Sequence, residues 1–223
     1  MIDKRVATLT QAVSDVKDGS TILISGFGIA GIPIDLCHAL IDRGATDLTL
    51  VTNNAGSGHT DVAALLKAGC VRKIVCSYPR SAGSIWFEEL YRAGKIELEL
   101  VPQGTLSERM RAGGAGLGGF YTPTAGGTLI AKGKETREIN GREYLLEYPI
   151  RGDVALIKAD RADRWGNLTY SKSARNFGPT MATAADLTIV QVREIVELGE
   201  LDPECVITPG IFVNRVVEVG ASS

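Results

Sequence analysis

The chain has 223 residues, with 24 Lys and Arg against 26 Asp and Glu and a formal net charge of −2 at pH 7. Its 44% hydrophobic and 22% charged residues exclude a disordered chain, and its slightly acidic balance gives no electrostatic basis for binding nucleic acid or an anionic membrane. No apolar run approaches the roughly 18 residues of a membrane span, and residues 1–5 are not followed by the apolar segment of a secretion signal. We expect one cytoplasmic domain over residues 1–223.

In its first half the chain alternates short apolar strands with helices. Helices are predicted over residues 8–17, 34–43, 62–68 and 86–93, and strands over residues 21–24, 48–51, 73–76 and 96–100. The last strand alternates apolar and acidic residues, so Glu97 and Glu99 are expected on a solvated face. The alternation of strand and helix predicts an α/β fold, with an open and mainly parallel sheet that carries helices on both faces.

The middle of the chain interrupts this pattern. Residues 113–119 are predicted to form a glycine-rich loop. Asn140-Gly141 lies between two strand-like segments, which predicts a β-hairpin insertion over residues 128–149. The pattern resumes with a strand at 154–157, a helix at 181–185 and a strand at 187–192.

The cysteines and histidines give no sign of a metal site. None of the cysteines belongs to a C-x-x-C pair, and they lie at positions Cys37, Cys70, Cys76 and Cys205. Such scattered cysteines are typical of reduced, mostly buried thiols in a cytoplasmic protein. His38 and His59 are not spaced with a cysteine pair, so we expect no metal, and we expect His59 to be a polar surface residue.

The first candidate site is segment 26–31, Gly-Phe-Gly-Ile-Ala-Gly, between a predicted strand and a predicted helix. This G-x-G-x-x-G spacing suits an anion held by backbone N–H groups and a helix N-terminus. A dinucleotide site also requires an acidic residue about 20 residues further on, to bind the ribose hydroxyls. The sequence has Thr52-Asn53-Asn54 there, and amides do not replace that carboxylate, so an NAD-dependent dehydrogenase is disfavoured. A tight turn without a ligand stays open as the alternative.

Two neutral amides follow predicted strands. Asn53 comes after the strand at 48–51, and Gln103 comes after the strand at 96–100. Ligands of open α/β sheets bind at the carboxyl ends of the strands, where amide donors suit a developing oxyanion. In both places a simple turn is the alternative. The sequence shows no G-x-S-x-G elbow and no evident Ser-His-Asp or Cys-His-Asn set, so the candidate site lacks an attacking group.

Several segments together resemble one family. Residues 18–33, Asp-Gly-Ser-Thr-Ile-Leu-Ile-Ser-Gly-Phe-Gly-Ile-Ala-Gly-Ile-Pro, resemble the first signature of the A subunits of family I coenzyme A transferases. The family pattern has a glycine where this chain has Ser25. The resemblance covers nearly the whole chain, through residues 52–56, 102–106, 108–116, 120–124 and 172–177. It implies the coenzyme A transferase fold, which is related to that of sugar-phosphate isomerases.

The resemblance also implies a partner. Enzymes of this family combine A and B subunits, and their catalytic glutamate lies in a Ser-Glu-Asn-Gly signature. This sequence contains no Glu-Asn pair, so the nucleophile is expected on a B subunit, in an A2B2 heterotetramer. In the family the glutamate attacks an acyl-CoA to give an anhydride and then a glutamyl–CoA thioester, which is covalent catalysis with ping-pong kinetics. Coenzyme A is therefore a co-substrate, and no tightly bound cofactor is expected.

Site residues carry over from the family by position. Asn53 and Gln103 match positions that line the acyl site, where we expect them to donate hydrogen bonds to the thioester or anhydride oxygen. The turn expected near coenzyme A comprises Ser25, Gly26, Phe27, Gly28, Ile29, Ala30 and Gly31.

Three local segments indicate the acid. Residues 76–80, 164–170 and 208–213 most resemble members that accept 3-oxoadipate in aromatic catabolism, with succinyl-CoA as the donor. Arg80 is a hypothetical bidentate partner for the distal carboxylate of such a diacid, and a plain surface arginine is the alternative. Acetoacetate or acetate stays open as the acceptor. A sugar-phosphate isomerase or sensor domain of related fold stays open as a function of another class.

Overall fold

The computed structural model describes residues 2–80 and 83–220, so residues 1, 81–82 and 221–223 of the expected domain lie outside the described residues. In chain order the strands are β1 (Thr21–Ile24), β2 (Leu48–Val51), β3 (Val71–Cys76), β4 (Glu97–Leu100), β5 (Phe120–Thr122), β6 (Thr136–Ile139), β7 (Arg142–Glu147), β8 (Gly152–Lys158), β9 (Arg161–Asp163), β10 (Leu168–Thr169), β11 (Ala185–Val192), β12 (Glu194–Val196) and β13 (Arg215–Glu218). The α-helices are α1 (Leu9–Ala12), α2 (Ile34–Arg43), α3 (Val62–Lys67), α4 (Ile85–Arg92), α5 (Gln103–Gly114) and α6 (Gly178–Thr183). Short 3-10 helices cover Leu129–Ala131, Lys172–Arg175, Pro203–Cys205 and Gly210–Phe212.

A seven-stranded sheet forms the centre of the described part of the chain, in the order β13-β11-β8-β1-β2-β3-β4. Every neighbouring pair in this sheet is parallel, which confirms the predicted α/β fold. The order reverses between β1 and β8, because the chain first builds outward from β1 to β4 and then returns to build from β8 to β13. Ligand clefts of open parallel sheets lie at the carboxyl ends of strands beside such a reversal.

Both faces of the sheet are covered, as predicted. Ile22 and Ile24 of β1 point to the face that α1, α2, α3 and α4 cover, where they join a buried cluster with Leu36 of α2. The intervening Leu23 belongs to a second buried cluster on the other face, with Met110 of α5. Because successive side chains of a strand alternate between faces, the fully apolar β1 supplies both cores.

The first helix is shorter than predicted. It is expected over residues 8–17 but ends at Ala12. The Ser14 hydroxyl donates to the carbonyl of Gln11 (3.0 Å), and Arg215 Nη1 donates to the carbonyl of Ala12 (2.8 Å). These side chains satisfy carbonyls that a longer helix would use for its own hydrogen bonds, so the helix stops there.

The glycine-rich segment 113–119 is only partly a loop. Gly113 and Gly114 belong to α5, so the loop predicted over 113–119 is wrong for these two residues. A Cβ at Gly113 would lie 2.1 Å from the carbonyl oxygen of Ile150, and one at Gly114 would lie 2.3 Å from Thr183 Oγ1. The glycines therefore let this helix pack against backbone that no side chain would allow it to reach.

The insertion contains the predicted hairpin and a further strand. β6 and β7 pair antiparallel around Asn140 and Gly141, whose φ angles of +52° and +75° fit the tight turn. The hairpin is confirmed, but it begins at Thr136 and not at residue 128, because Leu129–Ala131 forms a 3-10 helix. On the other side β5 pairs with β7, so the insertion is a three-stranded antiparallel sheet.

Short elements account for the other differences. α6 is predicted over residues 181–185 but covers Gly178–Thr183, with a proline in its first turn, where helices accept one. β9, β10 and β12 form a second three-stranded sheet after β8. They contain two or three residues each, which is too short to show a periodicity, so they are not predicted from the sequence.

Two acidic residues of the edge strand β4 have different surroundings. Glu97 is exposed, as predicted, whereas Glu99 accepts from Lys73 Nζ (2.7 Å) and Arg109 Nη1 (2.8 Å). Burial raises the pKa of Glu99, but the hydrogen bonds from Lys73 and Arg109 outweigh burial, so the pKa lies below its ordinary value. Arg109 Nε also donates to the Tyr148 carbonyl (2.7 Å), which ties β4 and α5 to the chain that follows β7.

Candidate functional site

A cleft of about 530 Å³ opens at the carboxyl ends of β1, β2, β3 and β4, where the loops after these strands form its walls. It is lined by Phe27, Gly28, Ile29, Asn53, Asn54, Ser57, Ser77, Tyr78 and Gln103. A neighbouring space of about 300 Å³ shares Phe27 and Gln103 and is also lined by Gly104, Ser107, Asn176 and Phe177. The place agrees with the rule for ligand sites in open parallel sheets.

The glycine turn, residues 25–31, projects only its tip into the cleft. The Phe27 N–H donates to the Ala30 carbonyl (3.0 Å), and the Ala30 N–H donates back to the Phe27 carbonyl (3.1 Å). This pairing places Gly28 and Ile29 at the tip, where the Ile29 side chain is 86% exposed. Of the seven residues predicted to lie near coenzyme A, Phe27, Gly28 and Ile29 line the cleft.

The base of the glycine turn is buried. Ser25 is 1% exposed, its Oγ donates to the Gly31 carbonyl (2.7 Å), and it accepts from the Lys158 N–H (3.2 Å). The hydroxyl holds the turn closed and does not line the cleft, and a contact of Ser25 with coenzyme A stays a prediction. Gly26 and Gly31 are buried as well, and Ala30 is half-buried. These four residues shape the turn from beneath, and the structure does not place them among the residues lining the cleft.

Gln191 and Asp35 meet at the first turn of α2, the helix that follows the glycine turn. In the first turn of α2 the Leu36 N–H donates to Gln191 Oε1 (3.2 Å), and Gln191 Nε2 donates to Asp35 Oδ2 (2.7 Å). The Gln191 amide therefore takes this donor, and Asp35 adds a negative charge in the first helical turn, which disfavours a ligand anion there. Binding of a ligand anion at this helix N-terminus stays a prediction.

Asn53 and Gln103 meet in the cleft. Gln103 Nε2 donates to Asn53 Oδ1 (2.8 Å), and Ser77 Oγ lies 2.8 Å from the same oxygen. Asn53 is 5% exposed, and its main-chain carbonyl accepts from the N–H groups of Ser77 and Tyr78, both at 3.1 Å. Because protein donors engage Oδ1, Nδ2 is the polar atom of this side chain that remains for a ligand in the described part of the chain.

The simple turn that was the alternative interpretation of Asn53 forms at the next residue, Asn54. Asn54 Oδ1 accepts from the Gly56 N–H (2.8 Å), a local turn typical of asparagine. Asn54 therefore serves the turn, while Asn53 serves the cleft. Gln103 is the first residue of α5, after Pro102 at the N-cap, and the helix start directs its side chain to Asn53.

Several residues of the cleft are not among the predicted site residues, and Ser77, Tyr78 and Asn176 are three of them. Ser77 and Tyr78 directly follow β3, so the strand-end argument that selected Asn53 applies to them equally. Asn176 lies 150 positions from Gly26, whose N–H donates to Asn176 Oδ1 (3.0 Å). No local spacing indicates a contact over such a separation.

Arg80 lies near the cleft in sequence but does not line it. Its Nε pairs with Glu88 Oε1 (2.7 Å), and its side chain is 72% exposed. Glu88 also pairs with Arg92 (3.0 Å), so it forms part of a surface cluster on α4. This geometry favours the alternative of a surface arginine, and a contact with a substrate carboxylate stays a prediction.

The cleft offers donors and apolar contacts. Among the lining positions in the described ranges there is no Asp, Glu, Cys, His or Lys. His59 accepts from Trp86 Nε1 (3.1 Å) at the surface, as expected. The residues lining the cleft therefore bind and polarise, and they include none of the usual nucleophiles other than hydroxyls.

The four cysteines do not line the cleft. Cys37, Cys70 and Cys76 are buried, as predicted, and Cys205 is exposed. Burial raises the pKa of Cys76 to about 12, so this thiol stays protonated at neutral pH. Within residues 2–80 and 83–220 no three His, Cys, Asp or Glu side chains group as metal ligands, and no helix has the length and apolar character to cross a membrane.

Known proteins match the chain over almost its whole length. The family model described as coenzyme A transferase matches residues 6–219. A Pseudomonas putida protein named as the A subunit of 3-oxoadipate CoA-transferase is 60% identical, with 100% of this chain and 96% of that protein covered. A protein of the same name from Acinetobacter baylyi is 62% identical, with 98% and 96% covered. A Bacillus subtilis protein named as the probable A subunit of succinyl-CoA:3-ketoacid coenzyme A transferase is 48% identical, with 98% and 91% covered.

Solved structures share the fold. An acyl-CoA transferase from Escherichia coli O157:H7, in a thioester complex with CoA, superposes with a TM-score of 0.87 at 22% identity, over 100% of this chain and 48% of that chain. Glutaconate coenzyme A-transferase from Acidaminococcus fermentans superposes with a TM-score of 0.84 at 22% identity, over 97% and 76% of the two chains. At this identity the likeness concerns the fold alone.

Proposed function

The chain belongs to the coenzyme A transferase family, and we propose that it is the A subunit of an enzyme that transfers CoA from succinyl-CoA to 3-oxoadipate. Relatives named for 3-oxoadipate are 60% and 62% identical, whereas the Bacillus subtilis relative named for 3-ketoacids is 48% identical. The higher identity favours 3-oxoadipate over acetoacetate as the acceptor. The proposed enzyme works in the cytoplasm as an A2B2 heterotetramer, with coenzyme A as a co-substrate and not as a resident cofactor.

The observation that carries the proposal is a cleft with amide donors and no carboxylate. Asn53 and Gln103 meet at the strand ends (2.8 Å between Oδ1 and Nε2), and no Asp or Glu stands among the lining positions that the structure describes. Transfer of CoA between two acids by covalent catalysis needs a carboxylate nucleophile. We propose that the reacting carboxylate is a glutamate of the B subunit, as the resemblance to the family implies, and the cleft without a carboxylate agrees with this.

The proposed reaction runs through two exchanges at that glutamate. Its carboxylate attacks the succinyl-CoA carbonyl and expels CoA thiolate, which leaves a succinyl–glutamyl anhydride. The thiolate then attacks the glutamyl carbonyl of the anhydride, so succinate leaves and a glutamyl–CoA thioester remains. The same steps in reverse order, with 3-oxoadipate as the incoming carboxylate, give 3-oxoadipyl-CoA and restore the glutamate. Each attack builds negative charge on a carbonyl oxygen, which hydrogen-bond donors stabilise.

Asn53 and Gln103 are the donors proposed for that oxygen. Asn53 Nδ2 has no hydrogen-bond partner within residues 2–80 and 83–220, while Oδ1 accepts from Gln103 Nε2 and faces Ser77 Oγ. Gln103 Nε2 keeps a second proton. The contacts fix both amides before a ligand arrives, and such preorganisation is what makes an oxyanion donor effective. The tip of the glycine turn, Phe27 to Ile29, is proposed to contact coenzyme A.

Trapping of the glutamyl–CoA thioester tests whether the B chain carries the nucleophile and the A chain does not. The A chain and the B chain are incubated with succinyl-CoA, separately and together, and the intact masses of both chains are measured after rapid quenching. We expect a mass increase equal to CoA less one water, only in the mixture and only on the B chain. Turnover by the purified A chain alone would refute the proposal, and it would favour a self-sufficient enzyme such as a sugar-phosphate isomerase of related fold.

The acceptor is tested separately. The same A/B pair is assayed for kcat/KM with 3-oxoadipate and with acetoacetate, at one concentration of succinyl-CoA. We expect 3-oxoadipate to be the better acceptor. A preference for acetoacetate would leave the family assignment standing and would replace the proposed acid with the second candidate.

A further inference from the structure

Asn176 ties the glycine turn to a distant segment of the chain. It follows the 3-10 helix Lys172–Arg175 and lines the smaller part of the cleft. Its Oδ1 accepts from the Gly26 N–H (3.0 Å) and from the Phe177 N–H (2.7 Å). Its Nδ2 lies 3.0 Å from the Ala30 carbonyl, to which it donates. One amide therefore bonds both the start and the end of the turn.

The same amide nitrogen also contacts the segment that precedes Asn176. Asn176 Nδ2 also lies 3.1 Å from the carbonyls of Ser173 and Ala174. A Cβ at Gly31 would lie 2.3 Å from the Ala174 carbonyl oxygen and 2.8 Å from Asn176 Nδ2. The glycine turn and residues 173–176 are thus in closest contact, and the turn has no space in which to move toward that segment.

We infer that Asn176 is a positioning residue that sets the conformation of the glycine turn, and through it the place of Phe27, Gly28 and Ile29 in the cleft. The inference rests on the proposed function, because its kinetic consequence is a contact between this tip and the coenzyme A part of the acyl-CoA. Asn176 bonds the two ends of the turn, while Phe27 and Ala30 close its tip on themselves.

Only an amide of this length satisfies both ends. Oδ1 meets two N–H donors and Nδ2 meets carbonyl acceptors, so the two ends need opposite hydrogen-bonding character. In Asn176→Asp the acceptor for Gly26 is kept, but a carboxylate oxygen replaces the donor beside the Ala30 carbonyl. In Asn176→Ala both ends are lost, and the Gly26 N–H is left without its partner.

The experiment compares these two variants with a matched control, Asn214→Ala. Asn214 Oδ1 also accepts from a backbone N–H, that of Thr188 (2.7 Å), in the middle of β11, and neither residue lines the cleft. Hydrogen exchange of the peptide spanning residues 25–31 is measured in the A/B complex without substrate. The kcat and the KM values for succinyl-CoA and 3-oxoadipate are then determined for each variant.

In Asn176→Ala we expect the Gly26 amide to exchange at least about tenfold faster and the KM for succinyl-CoA to rise about tenfold, with kcat within about threefold of wild type. Asn176→Asp is expected to raise the same KM by a smaller factor, and it gives the comparison should the alanine variant fail to fold. Asn214→Ala is expected to change neither quantity by more than about twofold.

Two results would overturn the inference. One is unchanged exchange at residues 25–31 in a folded Asn176 variant. The other is faster exchange with a KM for succinyl-CoA no higher than in the Asn214 control. If the wild-type pair transfers no CoA, the proposed function fails by itself, and the exchange measurement then decides whether Asn176 holds the turn.

Discussion

Replacing Gly113 by alanine tests how much the stability of the chain depends on the close packing of α5, the helix that begins with Gln103. An alanine Cβ at this position would lie 2.1 Å from the Ile150 carbonyl oxygen and 2.9 Å from its carbonyl carbon. Ordinary contacts of a Cβ begin at 3.4 Å, so α5 and residue 150 would have to separate by about 1.3 Å. The Ile150 N–H donates to the Arg109 carbonyl of the same helix (2.8 Å), and a separation of that size breaks this bond.

The expected cost follows from three contributions. Overpacking of a filled interior costs about 1–3 kcal/mol, and backbone atoms, which cannot rotate away, place this site at the upper end. A lost backbone hydrogen bond adds about 1 kcal/mol, while alanine in a helix interior returns about 1 kcal/mol relative to glycine. The net loss is about 2–3 kcal/mol, which lowers Tm by about 4–12 °C in a chain of this size.

Urea and thermal unfolding of the isolated A chain measure the loss, with Gly104→Ala as the control in the same helix. No heavy atom lies within 4 Å of a Cβ at Gly104, so we expect Tm to stay the same or to rise by about 1–3 °C. An unchanged urea m-value shows that the same surface unfolds in both variants. Equal stability of Gly113→Ala and Gly104→Ala would refute the packing argument.

Three further predictions concern the cleft and its surroundings. Asn53→Asp keeps the acceptor and loses the donor at Nδ2, so kcat of the A/B pair is expected to fall about 100–1000-fold in steady-state assays, and a fall of less than about tenfold contradicts the proposed role. Arg80→Ala is expected to change the ratio of kcat/KM for 3-oxoadipate and acetoacetate by less than about twofold, since Arg80 pairs with Glu88 at the surface; a larger loss with 3-oxoadipate would make it the carboxylate partner. The lowered pKa of Glu99 means that its ionised form stabilises the fold above its ordinary value of 4.5 and that this contribution is lost as the pH falls through the lower, folded value. Glu99→Gln is therefore expected to reduce the free energy of unfolding at pH 7 by about 1 kcal/mol, and the difference from wild type is expected to shrink below pH 4.5 in urea titrations at several pH values.

Local patterns predict the central elements well. β1, β2 and α2 have the predicted bounds, because a short apolar run predicts a buried strand and Gly44 in the left-handed conformation marks the end of the helix. The early end of α1 depends on Arg215, which is distant in sequence and donates to the Ala12 carbonyl. The requirement for glycine at position 113 depends on the backbone of Ile150, against which α5 packs. The residues next to Ala12 and Gly113 in the sequence show no pattern that indicates these distant contacts.

The residues of the candidate site likewise include some that local patterns predict and others that depend on contacts distant in sequence. Asn53 and Gln103 are predictable because each follows a strand, and parallel strands bring their carboxyl ends to one edge. The glycine pattern predicts the turn, but not which of its residues face the cleft, since Ser25 turns inward to the Gly31 carbonyl. Asn176 is beyond prediction from spacing, because 150 positions separate it from Gly26, with which it forms a hydrogen bond.

The neutral character of the cleft has a chemical reason if the nucleophile is a carboxylate brought by a partner protein. Lysine or arginine in the cleft would pair with that carboxylate and lower its pKa, and so would make it a poorer nucleophile. Amide groups donate to the carbonyl oxygen of the thioester without neutralising the attacking group. Two arginines near the cleft pair with acidic residues: Arg109, on the helix that carries Gln103, pairs with Glu99 (2.8 Å), and Arg80 pairs with Glu88 (2.7 Å). These ion pairs balance the positive charge of both guanidinium groups, which weakens their attraction for the incoming glutamate.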